Sequence, residues 1–200
     1  MDGEFGKMIE KRRSYYEIKK ESRISDKKIR DIFAHVIRYA PSPHNSQGSR
    51  VVLLLGNSHD EFWDMVMQAI RDTNPEADLS FSKAKIDGFR AGYGTALFYY
   101  DEKVTRALQE EMSLYSDVFP DWAKQENAML QYAAWNMLEE AGFGVSLQHY
   151  NPIVDKYVYD RWPIDRDWKL IAQMPFGLPA GPPWVGKTFE PVEGRLKVYE

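Results

Sequence analysis

One helical segment dictates most of what this chain can fold into. From Gln125 to Ala141, the apolar residues Met129, Leu130, Ala133, Ala134, Trp135, Met137, Leu138 and Ala141 spread around more than one face. A surface helix carries one apolar stripe, whereas a helix that is apolar on several sides has to be covered on several sides. The segment is therefore predicted to be a central, buried helix, with Gly142 placed to cap its C-terminus. The rest of the chain has to wrap around it.

The wrapping segments are legible in outline. Phe5 to Arg13 reads as a short helix ending at the basic pair Arg12-Arg13. Ser25 caps and Asp26 opens a second helix, in which Ile29, Ile32, Phe33, Val36, Ile37 and Ala40 recur at helical spacing until Pro41 stops it. Val51–Leu55 is a buried strand ended by Gly56-Asn57. Ser58 and Glu61 form a capping-box pair for a third helix, with Phe62, Trp63, Val66, Met67 and Ile70 as its apolar face. Asn74 to Gly94 is polar and unassigned, and its placement suits a lid or a mobile loop. Thr95–Tyr100 is a strand, Lys103 to about Val118 a helix, and Pro120 ends the connection after it. Val145–Gln148 is a short strand or extended segment, Asn151-Pro152 opens a further helix, and Trp168–Met174 is a strand. Gly177–Gly186 is an extended Pro/Gly-rich arm, and Leu196–Tyr199 is a candidate final strand. No repeat or composition shift marks a second domain, so the expectation is one α+β domain over residues 1–200. The C-terminal arm is not expected to be stable alone and is predicted to lie on a partner subunit.

Composition removes several function classes. Hydrophobic residues make up 44% of the chain, which suits a packed core. The net charge of -4 argues against a basic nucleic-acid-binding face. The chain has no cysteine, so disulfides, thiolate catalysis and zinc-thiolate sites are excluded. The N-terminus has no apolar signal-peptide region, and no window approaches the roughly 18 apolar residues of a spanning helix. The expectation is a soluble, cytoplasmic protein with no membrane partner.

Four clusters carry chemical potential. Arg12-Arg13-Ser14 puts two guanidinium groups and a hydroxyl at a helix end, a set that can grip a phosphate; the same cluster also suits a solvated helix C-terminus. In Pro41-Ser42-Pro43-His44-Asn45-Ser46-Gln47 the prolines fix the backbone, and Asn45 and Gln47 each offer a donor and an acceptor. That arrangement suits a uracil-like ring edge or a polyol, and equally an ordinary Pro/Asn turn. Gly142-Phe143-Gly144-Val145-Ser146-Leu147-Gln148-His149-Tyr150 leaves the long helix with glycines that allow close backbone approach to a flat ligand, or serve as a plain cap and core strand. Lys187 lies late in the tail, where it can add a point charge to a phosphate or remain solvated. Other arrangements lead nowhere. The histidines form no i, i+4 metal pair, His35 reads as a packed core residue, and phosphate-loop and nucleophile-elbow motifs are absent. Glu110-Glu111 and Glu139-Glu140 read as surface or helix-support charges. No metal site is expected.

In this order and spacing the clusters resemble the nitroreductase family of FMN-dependent flavoproteins. Arg12-Arg13-Ser14 looks like the family's R-R-S motif, and Pro41-Ser42-Pro43-His44-Asn45-Ser46-Gln47 looks like its P-S-x-x-N-x-Q loop. Ser146-Leu147-Gln148-His149-Tyr150-Asn151-Pro152 looks like the bacterial and fungal nitroreductase-like subgroup. The similarity runs from about Met8 to Lys187. It implies a central mixed, mostly antiparallel sheet flanked by helices, and a homodimer with two FMN sites at the interface. By that resemblance Arg12, Arg13, Ser14 and Lys187 hold phosphate and ribityl. Pro41, Ser42, Pro43 and Asn45 reach over from the partner, Gln47 is a further contact, and Leu147 and Gln148 line the flavin. The implied reaction is ping-pong: NADH or NADPH reduces the flavin, then a small aromatic acceptor, a nitroaromatic or quinone, is reduced. The flavin carries the chemistry, so no catalytic side chain is nominated. The other reading is a flavin-binding redox-sensing or regulatory protein without turnover. Two positions depart from the family: Tyr16 stands where many members have a basic residue, and Gly48-Ser49 stands where many have Pro-Trp.

Overall fold

A computed structural model describes residues 3–200. Its described helices and strands follow in the order α1 (Glu4–Lys11), β1 (Ile18–Lys19), α2 (Asp26–Tyr39), β2 (Ser49–Leu55), α3 (Asn57–Thr73), α4 (Ser80–Arg90), β3 (Gly94–Asp101), α5 (Glu102–Glu111), α6 (Phe119–Glu140), β4 (Gly144–Val145), α7 (Asp155–Arg161) and β5 (Trp168–Pro179). The sheet order is β1-β5-β3-β2, with β4 also on β5, and every ladder is antiparallel. A lone parallel bridge, Ser14 against Val145, makes the arrangement mixed. This is the α+β sheet with flanking helices that the resemblance implies.

Strand alternation builds a core on each side of the sheet. Ala96 and Phe98 of β3 face α2 and α6, joining Ile29, Phe33, Leu130, Ala134 and Leu138. Leu97 and Tyr99 face the other way, onto Phe62, Trp63 and Val66 of α3, Phe89 of α4 and Val158 of α7. Opposite Phe98 and Tyr99 the β5 register jumps from Ala172 to Leu170, leaving Ile171 as an extra residue. That bulge switches the parity of β5. Leu170 can therefore join the α3 side while Ala172, Met174 and Phe176 join the α6 side.

α6 is the long helix expected at the middle, and it is longer than its apolar pattern indicated. It starts at Phe119, with Pro120 in its first turn, so this proline opens the helix rather than ending the connection. One series of its residues, Leu130, Ala134 and Leu138, is fully buried, whereas Met129 and Tyr132 are exposed in the single chain. Gly142 has φ +92°, the left-handed cap conformation that glycine adopts freely.

Several local expectations are corrected. The segment 74–94 is not a loop: α4 fills most of it and buries Ile86 and Phe89 against α3. The helix expected over Lys103–Val118 breaks at Met112, which has extended-side backbone (φ -125°, ψ 67°). α3 begins after Gly56 with no side-chain cap, so Ser58 and Glu61 do not form a capping box. Asn151-Pro152 forms a turn with a cis bond, and α7 starts only at Asp155. β5 continues to Pro179, so Gly177 belongs to the strand, where a Cβ would sit 2.5 Å from the Lys19 carbonyl oxygen. Leu196–Tyr199 is exposed and pairs with no described strand. His35 is exposed on α2 beside Tyr39, because the buried stripe runs through Ile32, Phe33 and Val36.

Candidate functional site

The C-terminal end of α6 organises the first group of candidate residues. α1 stops at Arg12, and the chain turns into extended backbone there. Glu139 accepts the Arg13 backbone N–H at 3.1 Å and the Trp135 indole N–H at 2.9 Å. The Arg12 guanidinium lies 4.5 Å over the same indole ring. Burial pushes the Glu139 pKa up, against the opposing pull of those two N–H donors and of the Arg12 and Arg13 charges. Of the surface or helix-support role expected of it, Glu139 has the second, through Trp135 on its own helix, and it also anchors the Arg12–Ser14 segment.

Beyond Arg13 the chain runs beside β4. Tyr15 donates its N–H to the Val145 carbonyl at 2.9 Å, and Ser14 bridges Val145. Gly144 permits this approach, since a Cβ there would stand 2.9 Å from Tyr15 Cβ. The tail closes over the same segment: Trp184 donates its N–H to Ser14 O at 2.9 Å, and the Arg13 guanidinium donates to the Val185 carbonyl. Lys187 follows two residues on and is exposed, its ammonium 5.8 Å from the Phe189 ring. Leu147 packs on the α6-side core. Gln148 is 4% exposed, pairs through its backbone with Gln173 and turns its amide onto Ser146 Oγ at 3.2 Å. Arg12, Arg13 and Ser14 therefore share one region with Glu139, Val145 and the tail at Trp184–Val185, while Lys187 follows that tail as an exposed residue and Leu147 and Gln148 lead from β4 into the core.

The second group lies elsewhere. The loop from Pro41 to Gln47 packs on Glu126, near the other end of α6: Glu126 accepts the Ser49 N–H at 2.8 Å and lies 3.4 Å from the Ser46 hydroxyl. Asn127 donates to Ser49 Oγ at 3.2 Å and to the Tyr99 carbonyl at 2.8 Å, completing a buried polar floor. Above that floor the loop is strained. His44, Asn45 and Gln47 all have positive φ, at 52°, 56° and 52°. Each such residue costs on the order of 1 kcal/mol and persists only where the surroundings enforce it. Here the Ser42 hydroxyl accepts the Gln47 N–H at 3.0 Å, the Pro43 carbonyl accepts the Ser46 N–H at 2.9 Å, and Arg50 ties the Gln47 carbonyl to Asp101. Asn45 and Gln47 remain exposed on this fixed loop.

Glu126 and Glu139 are thirteen residues apart on one helix, which is about 20 Å at the helical rise. A single chain does not bring Pro41, Ser42, Pro43, Asn45 and Gln47 together with Arg12, Arg13, Ser14 and Lys187. The donors at each end nevertheless suit parts of one nucleotide-like ligand. Neither guanidinium nor Lys187 forms an ion pair with a described carboxylate, and two arginines, a lysine and a hydroxyl match a phosphate. The amide edges of Asn45 and Gln47 match a heteroaromatic ring edge. Among the described residues no three histidine, aspartate or glutamate side chains cluster as metal ligands would.

Sequence reasoning passed over Glu126 and missed that Glu139 also holds Arg13, although both had a signal. Glu126 continues the i+4 series of Leu130, Ala134 and Leu138, so it sits on a buried stripe, and Glu139 stands four residues after Trp135.

A family model described as the nitroreductase family matches residues 9–178. HBN1 of Saccharomyces cerevisiae is 32% identical over 179 residues, covering 88% of this chain and 89% of the relative. The nitroreductase FRM2 of the same yeast is 30% identical over 200 residues, covering 98% and 97%. The solved structure of nitroreductase CinD from Lactococcus lactis in complex with 4-nitrophenol superposes with a TM-score of 0.88 at 34% identity, covering 98% of this chain and all of that one. The same protein has been captured with chloramphenicol and with nicotinic acid.

Proposed function

The chain belongs to the nitroreductase family, a flavin-dependent oxidoreductase fold, and from that premise we propose that it binds FMN between two subunits and uses NADH or NADPH to reduce nitroaromatic or quinone acceptors. The observation that carries this reading is the split site. Each chain presents a phosphate-type cluster at one end of α6 and a rigid amide-bearing loop about 20 Å away at the other. Two antiparallel copies would bring one of each together, twice. Met129 and Tyr132 of α6 and Ile37 and Tyr39 of α2 are exposed in the single chain and supply apolar surface for that pairing.

In the assembled site Arg12, Arg13 and Lys187 hold the phosphate and Ser14 the ribityl chain. Pro41, Ser42, Pro43 and Asn45 of the second copy close over the ring system, with Gln47 beside them, while Leu147 and Gln148 form its inner wall. When bound, FMN supplies a two-electron carrier that a nicotinamide can reduce and an aromatic acceptor can reoxidise. The protein's part is to position rings and to shield them from water, so donor and acceptor use the same face in turn. The three ligands captured on the Lactococcus protein all carry a flat six-membered ring, which supports an aromatic acceptor here. No helix among the described residues is long and apolar enough to cross a membrane, and with a cysteine-free sequence this fits a cytoplasmic setting.

Purified protein should be yellow, release FMN on denaturation, and oxidise NADH or NADPH only when a nitroaromatic or quinone is added. Colourless protein that takes up no added FMN contradicts the reading. Bound FMN without acceptor-dependent turnover would leave a sensor instead of an enzyme.

A further inference from the structure

We propose that Asp155, Tyr99 and Tyr159 form a proton-operated latch that fastens α7 to the sheet, closed while the Asp155 carboxyl carries a proton and loosened when it is ionised; nothing in it depends on bound FMN. Asp155 is the first residue of α7, and its Oδ1 is sealed from water with no hydrogen-bond partner. Tyr99 of β3 is fully buried, and its hydroxyl is sealed and unpartnered in the same way. Only one other buried side-chain atom among the described residues, Asn136 Oδ1, lacks a partner like this. Asp155 is close enough for its charge to act on both Tyr99 and Tyr159, so two of the three orphaned atoms belong to one cluster. Buried polar atoms are costly without partners.

The other groups around Asp155 are already committed. The Tyr159 hydroxyl donates to the Trp168 carbonyl. Lys169 of β5, the cation that pulls on Asp155, lies 3.3 Å from Glu102 and donates to the Arg166 carbonyl at 3.1 Å. Arg166 turns to the Tyr159 carbonyl and to Asp160. On α3, Asp72 takes the Tyr157 hydroxyl and Glu61 takes Arg161. Burial, Tyr159 and Asp155 all push the Tyr99 phenol up, so it stays a neutral hydroxyl. One tyrosine O–H does not offset a buried negative charge whose cation is engaged elsewhere, whereas a neutral carboxyl and that hydroxyl satisfy one another. Burial accordingly pushes the Asp155 pKa from 3.8 up to about 6, against the pull of Lys169. The latch also has something to release. Val154 and Val158 are fully buried in the α3-side core, and Val154 donates its N–H to the Tyr150 carbonyl at 3.2 Å. Tyr150 in turn meets the Trp63 ring edge-on at 5.9 Å. Loosening α7 therefore reaches the segment that follows Gln148.

An opened Asp155 returns to its ordinary pKa of 3.8, below its value of about 6 in the closed state, so opening releases a proton. Opening therefore grows more favourable as pH rises between those values and levels off above them. The test is amide hydrogen exchange of α7 in the full chain at pH 5 and pH 7.5, corrected for the intrinsic exchange rate, with the Asp155 carboxyl followed by NMR. Wild-type α7 is expected to lose about tenfold in protection from pH 5 to pH 7.5. Asp155→Asn keeps the shape and cannot ionise, so its α7 should stay protected at both. Titration of His59 falls on both proteins alike and cancels in the comparison. The wild-type Asp155 carboxyl should titrate near pH 6. Protection of α7 that responds to pH equally in wild type and Asp155→Asn overturns the proposal. So does an Asp155 carboxyl that titrates near pH 4, a readout that needs no variant.

Discussion

Glu139 accepts two N–H groups from two segments, and the Arg12–Ser14 strand has no other tie to α6 of that kind. Glu139→Ala would orphan the Arg13 amide and the Trp135 indole. Both donors are part-buried and water can meet them in part, so urea unfolding should show a loss of about 1 kcal/mol, at the low end of the cost of an unmet donor, together with weaker FMN retention. Glu139→Gln, which keeps an acceptor oxygen, should lose less on both counts. A second residue-scale prediction concerns His59, which is fully buried. Its Nε2 faces the Arg90 carbonyl at 3.1 Å, so that nitrogen carries the proton, and Nδ1 accepts from the Thr95 hydroxyl at 2.8 Å, which itself accepts from the Trp63 indole. Burial pushes the His59 pKa down from 6.5 to about 4. The unfolded chain then binds the extra proton between those values, so His59 contributes stability that is full above about pH 6.5 and is lost as pH falls towards 4. The loss is on the order of 3 kcal/mol. Unfolding free energies at pH 7 and pH 4.5, compared with those of His59→Gln, should show a steeper acid decline in wild type. At this scale the sequence revealed which residue types suit a phosphate, but not that Glu139 anchors them, because that contact spans well over a hundred positions of chain.

α4 shows why a polar stretch need not be a loop. Only Ile86 and Phe89 of the helix are buried, so its apolar signal is two residues long and escaped a periodicity reading, yet those two suffice to seat it on α3. The glycine at position 88 is ill-suited to a helix by propensity and is required by contact. Gly88→Ala gains roughly 1 kcal/mol of helix propensity. Its Cβ meets a backbone oxygen at 2.9 Å that cannot swing aside, and overpacking of this kind costs typically 1–3 kcal/mol. Gly88→Ala should therefore destabilise and displace Tyr16. Gly48→Ala is the contrasting case: its nearest neighbours are a Val104 methyl at 3.4 Å and a Glu126 oxygen at 3.7 Å, and its φ is not left-handed. Chemical denaturation should find it within about 0.5 kcal/mol of wild type. The Gly48-Ser49 departure is then explained by Ser49, whose N–H and hydroxyl both engage the polar floor on α6. The elements with long apolar runs (α2, α3, β2 and β3) were legible in sequence to within a few residues, and α6 was legible except for its first six residues, Phe119 to Lys124. The tail strand and the α7 start were not, since exposure and a turn decide them.

On the proposed reading, one copy of the chain supplies half of each FMN site. Its sheet and two cores are complete within one copy, and its long helix keeps an exposed apolar flank that the sequence pattern had expected to be covered. The same incompleteness appears in the candidate site, whose two groups of residues lie at opposite ends of α6. Sequence order suggested that they belong together, but could not show that one chain holds them about 20 Å apart. Arg13→Ala and Asn45→Ala each remove one half, so each homodimer should bind FMN at least tenfold more weakly than wild type. The decisive measurement is the FMN content of a tagged heterodimer of the two variants. In that heterodimer the Asn45→Ala subunit's Arg13 and the Arg13→Ala subunit's Asn45 meet in one site, and both lesions fall in the other. The account predicts one FMN per dimer bound with wild-type affinity. A heterodimer that binds FMN no better than either variant alone would contradict it.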